Sequence, residues 1–161
     1  MQPSQMLRKE KEMNKEEMEE FLYEAKVGRL GICYKNEPYI VPVLFVYDKE
    51  TETIYIHCAK KGKKVDIMKT NPNVCFETDK MSTIKIDKSP CNSSLSYRSV
   101  IAFGIATFIN DPKIKAISLN MLMRKYANET KFEFVTPEMT KNTQIIMVKI
   151  VSKTGKQNKK V

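Results

Sequence analysis

A chain of 161 residues, 42% apolar and 29% charged, has a globular composition and is long enough to bury one sizeable core. Its net charge of +9 admits an anionic partner, but no basic helix or interleaved aromatic-basic motif accompanies the charge, so nucleic acid is not expected. No apolar run approaches the ~18 residues of a membrane span, and the charged N-terminus lacks the apolar core of a signal peptide. The expectation is a cytoplasmic protein with no membrane partner.

Residues 1–13 read as a loose charged arm. "NKEEMEEFLYEAK" (14–26) predicts a helix: Asn14 is the N-cap, Glu17 stands at the capping-box spacing, and Met13 and Met18 occupy the staple positions. Met18, Phe21, Leu22 and Ala25 form its apolar stripe. "VGRLGICY" (27–34) and "PYIVPVLFVYD" (38–48) read as strands, the second interrupted by Pro42, which demands an edge, a bulge or a ligand-facing position. "TIYIHC" (53–58) pairs with it as a hairpin. A short helical pattern with Val65, Ile67 and Met68 follows and stops before Pro72.

"VCFETDKMSTIKI" (74–86) and "LSYRSVIAFGIATFI" (95–109) read as long strands, with Gly104 marking a bulge or a close backbone approach. "NDPKIKAISLNMLMRKY" (110–126) predicts a helix capped by Asp111 with Pro112 at its first position and Ile114, Ile117, Met121 and Leu122 as its buried stripe. "TQIIMVKIV" (143–151) is the last of six strands, and 153–161 reads as a basic tail. Strands joined by hairpins rather than by a βαβ rhythm predict one domain, mainly β with appended helices: an antiparallel sheet or barrel.

Cys33, Cys58, Cys75 and Cys91 form no C-x-x-C pair and read as reduced thiols. No metal is expected, because the adjacent His57 and Cys58 point to opposite faces of a strand. The stretch with most chemistry is "IYIHCAKKGKKVD" (54–66), which holds the only histidine, His57. Gly62 permits a tight turn, and Lys60, Lys61, Lys63 and Lys64 collect cations where a helix begins, so an anion such as a phosphate could be held there. A solvated basic turn is the alternative. The motif is neither a Walker A loop nor a dinucleotide fingerprint. Arg98 in "YRSV" and Arg29 in "GRL" could reach an anion or stand as ordinary strand residues. A single histidine without an acid partner makes no hydrolytic triad, so any redox chemistry would belong to a cofactor.

Five stretches occur together in order: "EAKVGRLG", "PYIVPVLFVYD", "IYIHCAKKGKKVDIMKTNPNVCFETD", "YRSVIAFGIATFI" and "DPKIKAISLNMLMRKY". Over roughly residues 8–152 the chain resembles the Nim-like (5-nitroimidazole resistance) branch of the pyridoxamine 5′-phosphate oxidase-like flavoproteins. The resemblance implies an antiparallel six-stranded split β-barrel binding FMN at a homodimer interface. It implies that Pro42, Val43, Leu44 and Phe45 run along the flavin ring and that His57 and Ala59 line it. Lys60, Gly62, Lys63 and Lys64 would form the phosphate site. Tyr97, Arg98 and Ser99 would complete the pocket, from this subunit or its partner. His57 is the candidate catalytic residue, or else packs on the flavin without a proton role. Two positions depart from the pattern: Leu44 is often polar, and Lys63 often arginine, with its bidentate fork. The implied activity is electron transfer from a donor such as NAD(P)H to a small-molecule acceptor, with nitroaromatics as one class. A protein that binds FMN or haem without turnover is the alternative. A pyridoxamine phosphate oxidase proper is not expected, because the residues after 152 are lysines and polar residues rather than the arginine–histidine segment that such enzymes share.

Overall fold

In the computed structural model, which describes residues 6–159, the first α-helix, α1 (Lys15–Glu24), starts where its cap dictates. Asn14 Oδ1 accepts from the Glu17 backbone N–H at 2.8 Å, and Glu17 Oε2 accepts from the Asn14 N–H at 3.0 Å. The helix buries Phe21 and Leu22. The arm before it is partly pinned: Met13 is buried, its N–H donates to Gly155 O at 2.9 Å, and Glu12 bridges to Lys156. Residues 1–5 of the expected arm and 160–161 of the expected tail lie outside the described residues.

Seven antiparallel strands form one sheet: β1 (Gly28–Tyr34), β2 (Glu37–Val43), β3 (Val46–Asp48), β4 (Thr53–Cys58), β5 (Asn73–Lys85), β6 (Ser94–Ile109) and β7 (Gln144–Asn158), in the order β2-β1-β5-β6-β7-β4-β3. Helices α2 (Lys63–Thr70) and α3 (Pro112–Tyr126) complete the fold. The β1–β2 hairpin turns through Lys35 and Asn36, both at positive φ. The two ends of the sheet, β2 and β3, are consecutive in the chain and separated only by Leu44 and Phe45. Two residues cannot cross a flat seven-stranded sheet, so the sheet curls until its edges meet. Among the described residues no ladder joins β2 to β3, and the barrel is therefore split at that point. Inside it lie Leu30, Phe45, Ile54, Ile56, Phe76, Val100, Ile146 and Val148, with the Phe45 and Phe76 rings edge-on at 4.7 Å.

The expected six strands become seven because 38–48 does not run through. Val43, Phe45 and Val46 are all buried, which breaks the two-residue alternation of a single strand. Pro42 sits on β2, an edge strand, where its missing N–H does no harm. The ladder between β6 and β7 shifts register at Phe103/Gly104, and a Cβ on Gly104 would stand 2.5 Å from Lys149 O, so the expected bulge and the expected close approach coincide. β7 continues to Asn158, so residues 153–158, expected as a tail, are strand.

Helix α3 has the expected cap, Asp111 Oδ1 accepting from Lys113 N–H at 2.7 Å, but not the expected face. Ile114 and Ile117 are exposed, Met121 is half-buried, and the buried residues are Lys115, Ala116, Ser118 and Leu122. Apolar residues occur all round this helix, so periodicity left its rotation open. The small Ala116 and Ser118 face inward, and the buried Lys115 ammonium donates to Thr143 O at 3.1 Å. Among the described residues no helix is long and apolar enough to cross a membrane.

Candidate functional site

Alternation along β4 buries Ile54, Ile56 and Cys58 and turns His57 outward, exposed. The chain then passes Ala59–Lys61 to Gly62, whose φ of 128° is one that an L side chain rarely adopts. Gly62 starts α2, and its carbonyl accepts from Val65 and Asp66. Val65, Ile67 and Met68 bury the inner face of the helix and fix its direction. Asn14 and Asp111 cap α1 and α3 with their side chains, whereas α2 has no side-chain cap. Its first N–H groups therefore remain as donors among lysines.

Lys60, Lys61 and Lys63 are exposed and Lys64 half-buried, and none forms an ion pair among the described residues. Burial pushes the Cys58 thiol up, opposed by the charge of nearby Lys64. The Lys63 ammonium lies 4.6 Å from the Tyr39 ring centroid, which brings the turn against β2.

Farther along β2 the chain reaches the barrel split. Pro42 and Leu44 are exposed, whereas Val43 and Phe45 face the core. A ring lying on this segment would meet the side chains of Pro42 and Leu44 and the peptide groups of Leu44, which lie outside both strands. The Phe45 peptide groups are already used. Tyr126, the last residue of α3, places its hydroxyl 3.0 Å from Phe45 N, 2.9 Å from Phe45 O and 2.8 Å from Lys26 O. The oxygen accepts from Phe45 N–H while its one proton serves a carbonyl. One phenol thus ties the linker between β2 and β3 to the segment that leads into β1. Beside it the Lys125 ammonium donates to Leu22 O at 3.2 Å and lies 3.8 Å from the Phe45 ring centroid. The ring and the carbonyl favour its charge, but burial and then the neighbouring Lys26 outweigh them and lower its pKa to about 7.

Tyr97, Arg98 and Ser99 are elsewhere in the chain. Along β7, Ile145 is paired with His57 and Gln157 with Arg98, twelve residues or about 40 Å of strand path apart. Arg98 is engaged: its guanidinium meets Glu24 Oε2 at 2.7 Å and stacks 4.9 Å from the Phe21 ring. Arg29 is held by Glu77 at 2.9 Å and by Asp79. Neither arginine offers the unoccupied fork that an anion would need. The chain therefore brings together the lysine-glycine turn and its β2 wall, but not the Tyr97–Ser99 segment.

The outward face of the sheet between these regions is apolar and bare. Ile40, Gly31, Cys75 and Phe103 are paired in one row across β2, β1, β5 and β6, with Ile40 66% and Phe103 50% exposed. Ile101 and Ile105 flank Phe103 on the same face and are also exposed. Tyr126 and Lys125 were not expected at the site, because nothing local in "LMRKY" ties the end of α3 to a segment 81 residues earlier.

The family model described as pyridoxamine 5′-phosphate oxidase matches residues 14–157. A search of curated proteins gives no match. Among solved structures the chain is similar to a candidate 5-nitroimidazole antibiotic resistance protein of Bacteroides thetaiotaomicron, at 26% identity and a TM-score of 0.76 over 91% of this chain and 86% of that one. It shares its fold with the FAD- and heme-binding protein of Mycobacterium smegmatis (16% identity, TM-score 0.81, 93% and 74% covered). The same holds for an FAD-binding protein of Mesorhizobium loti (18% identity, TM-score 0.69, 91% and 96% covered).

Proposed function

The chain belongs to the pyridoxamine 5′-phosphate oxidase family, and from that we propose that it binds a flavin through the riboflavin 5′-phosphate that constitutes FMN and works as an oxidoreductase. The observation that carries this is the lysine-glycine turn: unpaired lysines around the uncapped start of α2, next to the exposed Pro42–Leu44 wall. Solved neighbours that bind FAD, or FAD and heme, support a flavin as the cofactor. Lys60, Lys63 and Lys64, with the first N–H groups of α2, hold the phosphate. Such charge-assisted bonds contribute about 1.5–3 kcal/mol each. Pro42 and Leu44 flank the ring, and the apolar Leu44 side chain gives it no hydrogen bond. Ala59 leaves room beside the ring.

A bound flavin supplies electron transfer from a donor such as NAD(P)H to a small acceptor, nitroaromatics included. His57, exposed on β4, orients that acceptor. Tyr97 and Ser99 come from a second copy docked through the bare apolar face, which also shields the site from water. A homodimer satisfies two observations at once, the uncovered Ile40–Phe103 row and the remoteness of Tyr97–Ser99. Arg98, held by Glu24, supports the fold of that segment and stays outside the phosphate site.

The test is to add FMN to the purified chain, desalt it, reduce it anaerobically with NADPH and add a nitroaromatic. A retained flavin spectrum that bleaches and returns on addition of the acceptor is expected, with the return slowed in His57→Ala. A retained spectrum that NADPH and other reduced donors fail to bleach would leave a binding protein without turnover. Loss of the flavin on desalting, with a sharp Soret band on adding haem, would favour haem with His57 as its ligand.

A further inference from the structure

A cavity of about 600 Å³ lies between α2 and the β1–β2 hairpin. That volume is in the range of small-molecule sites. Tyr39 and Glu37, which line it, alternate to the opposite face of β2 from Pro42, so the cavity is separate from the proposed flavin wall. Asp66 stands on its helix wall and Glu37 on its hairpin wall. Both carboxylates are exposed, and neither forms an ion pair among the described residues. Tyr34 and Tyr39 line the hairpin wall, and each ring already carries a primary ammonium: Lys63 Nζ lies 4.6 Å from the Tyr39 centroid and Lys35 Nζ 5.4 Å from that of Tyr34. The helix wall runs from Lys63 to Thr70, about 10 Å.

We infer that this cavity binds an alkyl polyamine, a ligand with two or more ammonium groups on an aliphatic chain. The site does not depend on the flavin reading above. Two lysines of the protein already show its chemistry, because each places an ammonium on an alkyl stem over one of the cavity's rings. The negative face of a tyrosine ring attracts such a group. The carboxylates on the two walls add counter-charges that a ligand with separated ammonium groups can engage by charge-assisted hydrogen bonds. The same carboxylates disfavour an anion. A metal ion is disfavoured because no group of three metal-ligating side chains stands among the described residues. The chain's net charge of +9 works against any cation, so binding has to come from local groups such as these. Lys63 is the resident competitor, since its ammonium occupies the Tyr39 face that the ligand uses.

Calorimetric titration of the full chain with spermidine, without flavin, tests this. Saturable binding of one spermidine per chain is expected, with no competition from magnesium at equal concentration. Glu37→Gln and Asp66→Asn, both at exposed and unpaired positions, are each expected to weaken it about tenfold with unchanged urea midpoints. Lys63→Met is expected to tighten it, because the variant frees the Tyr39 face and removes a repelling charge. The same variant weakens FMN binding on the reading above, so the two sites respond with opposite sign and can fail separately. No saturable binding, displacement by magnesium, full affinity in both carboxylate variants, or equal or weaker binding in Lys63→Met would overturn the polyamine site and leave the flavin reading untouched.

Discussion

Replacing Tyr126 by Phe keeps the ring and removes only the hydroxyl that ties the Leu44–Phe45 linker to Lys26. That hydroxyl accepts from the Phe45 N–H and donates to the Phe45 or Lys26 carbonyl, all within 3.0 Å. Phe45 is fully buried, so its released N–H and carbonyl find no water. A buried polar group left without a partner costs about 1–3 kcal/mol, so two give about 2–4 kcal/mol after partial relaxation. In a domain of this size, 1 kcal/mol corresponds to about 2–4 °C, and the melting temperature should fall by roughly 5–15 °C. Urea unfolding should show a lower midpoint with an unchanged slope, because the surface exposed on unfolding is the same. The freed segment carries Pro42 and Leu44, so FMN affinity should also fall in the variant that is still folded. A stability loss below about 0.5 kcal/mol would refute the reasoning, since it would mean that water or a neighbouring group serves Phe45 as well as the phenol does.

Three further outcomes follow from other parts of the molecule. Burial and Lys26 lower the Lys125 ammonium to about 7 from its ordinary 10.5, so between those values the unfolded chain binds a proton that the native chain does not. Stability should therefore rise with pH across that window, by about 2 kcal/mol once the solvent that still reaches the group is allowed for, and the rise should vanish in Lys125→Met. Parallel pH profiles for the two proteins would contradict the assignment. Gly104→Ala places a methyl 2.5 Å from Lys149 O and 2.8 Å from Val148 Cγ1, and should cost about 1–3 kcal/mol in chemical denaturation; a neutral result would mean that the β6–β7 bulge yields easily. Lys64→Ala should weaken FMN binding about tenfold or more while changing stability by under about 0.5 kcal/mol, measured by fluorescence titration and urea unfolding. Equal affinity would remove Lys64 from the phosphate site.

Features whose causes lie within a few residues were legible in the sequence. The Asn14–Glu17 box, the Asp111–Pro112 start, the Gly62 turn and the bulge at Gly104 depend on local geometry, and each lies where its motif does. Alternation sufficed to place His57 and Cys58 on opposite faces of β4. What failed depends on distant partners. Pro42 marked 38–48 as interrupted, but the contact that holds the Leu44–Phe45 linker, from a tyrosine 81 residues away, has no mark in "PYIVPVLFVYD". The rotation of α3 was set by Lys115 reaching Thr143 and by small residues allowing close approach, not by the isoleucines that a hydrophobic count favours. The strand character of 153–158 comes from pairing with β6 and from Gly155 lying against Met13 and Met18, which a run of lysines does not announce. Arg29 and Arg98 had an open role in the sequence; their carboxylate partners, contributed by β5 and α1, gave them structural ones.

As proposed above, two copies of this chain build a flavin site that neither completes alone. Sedimentation velocity with FMN present, recorded both at the protein absorbance and in the flavin band, tests it directly. The flavin is expected to sediment with a species of twice the 18.7 kDa chain mass, at one flavin per chain. Flavin that stays unsedimented, or that travels with the single chain, would contradict it.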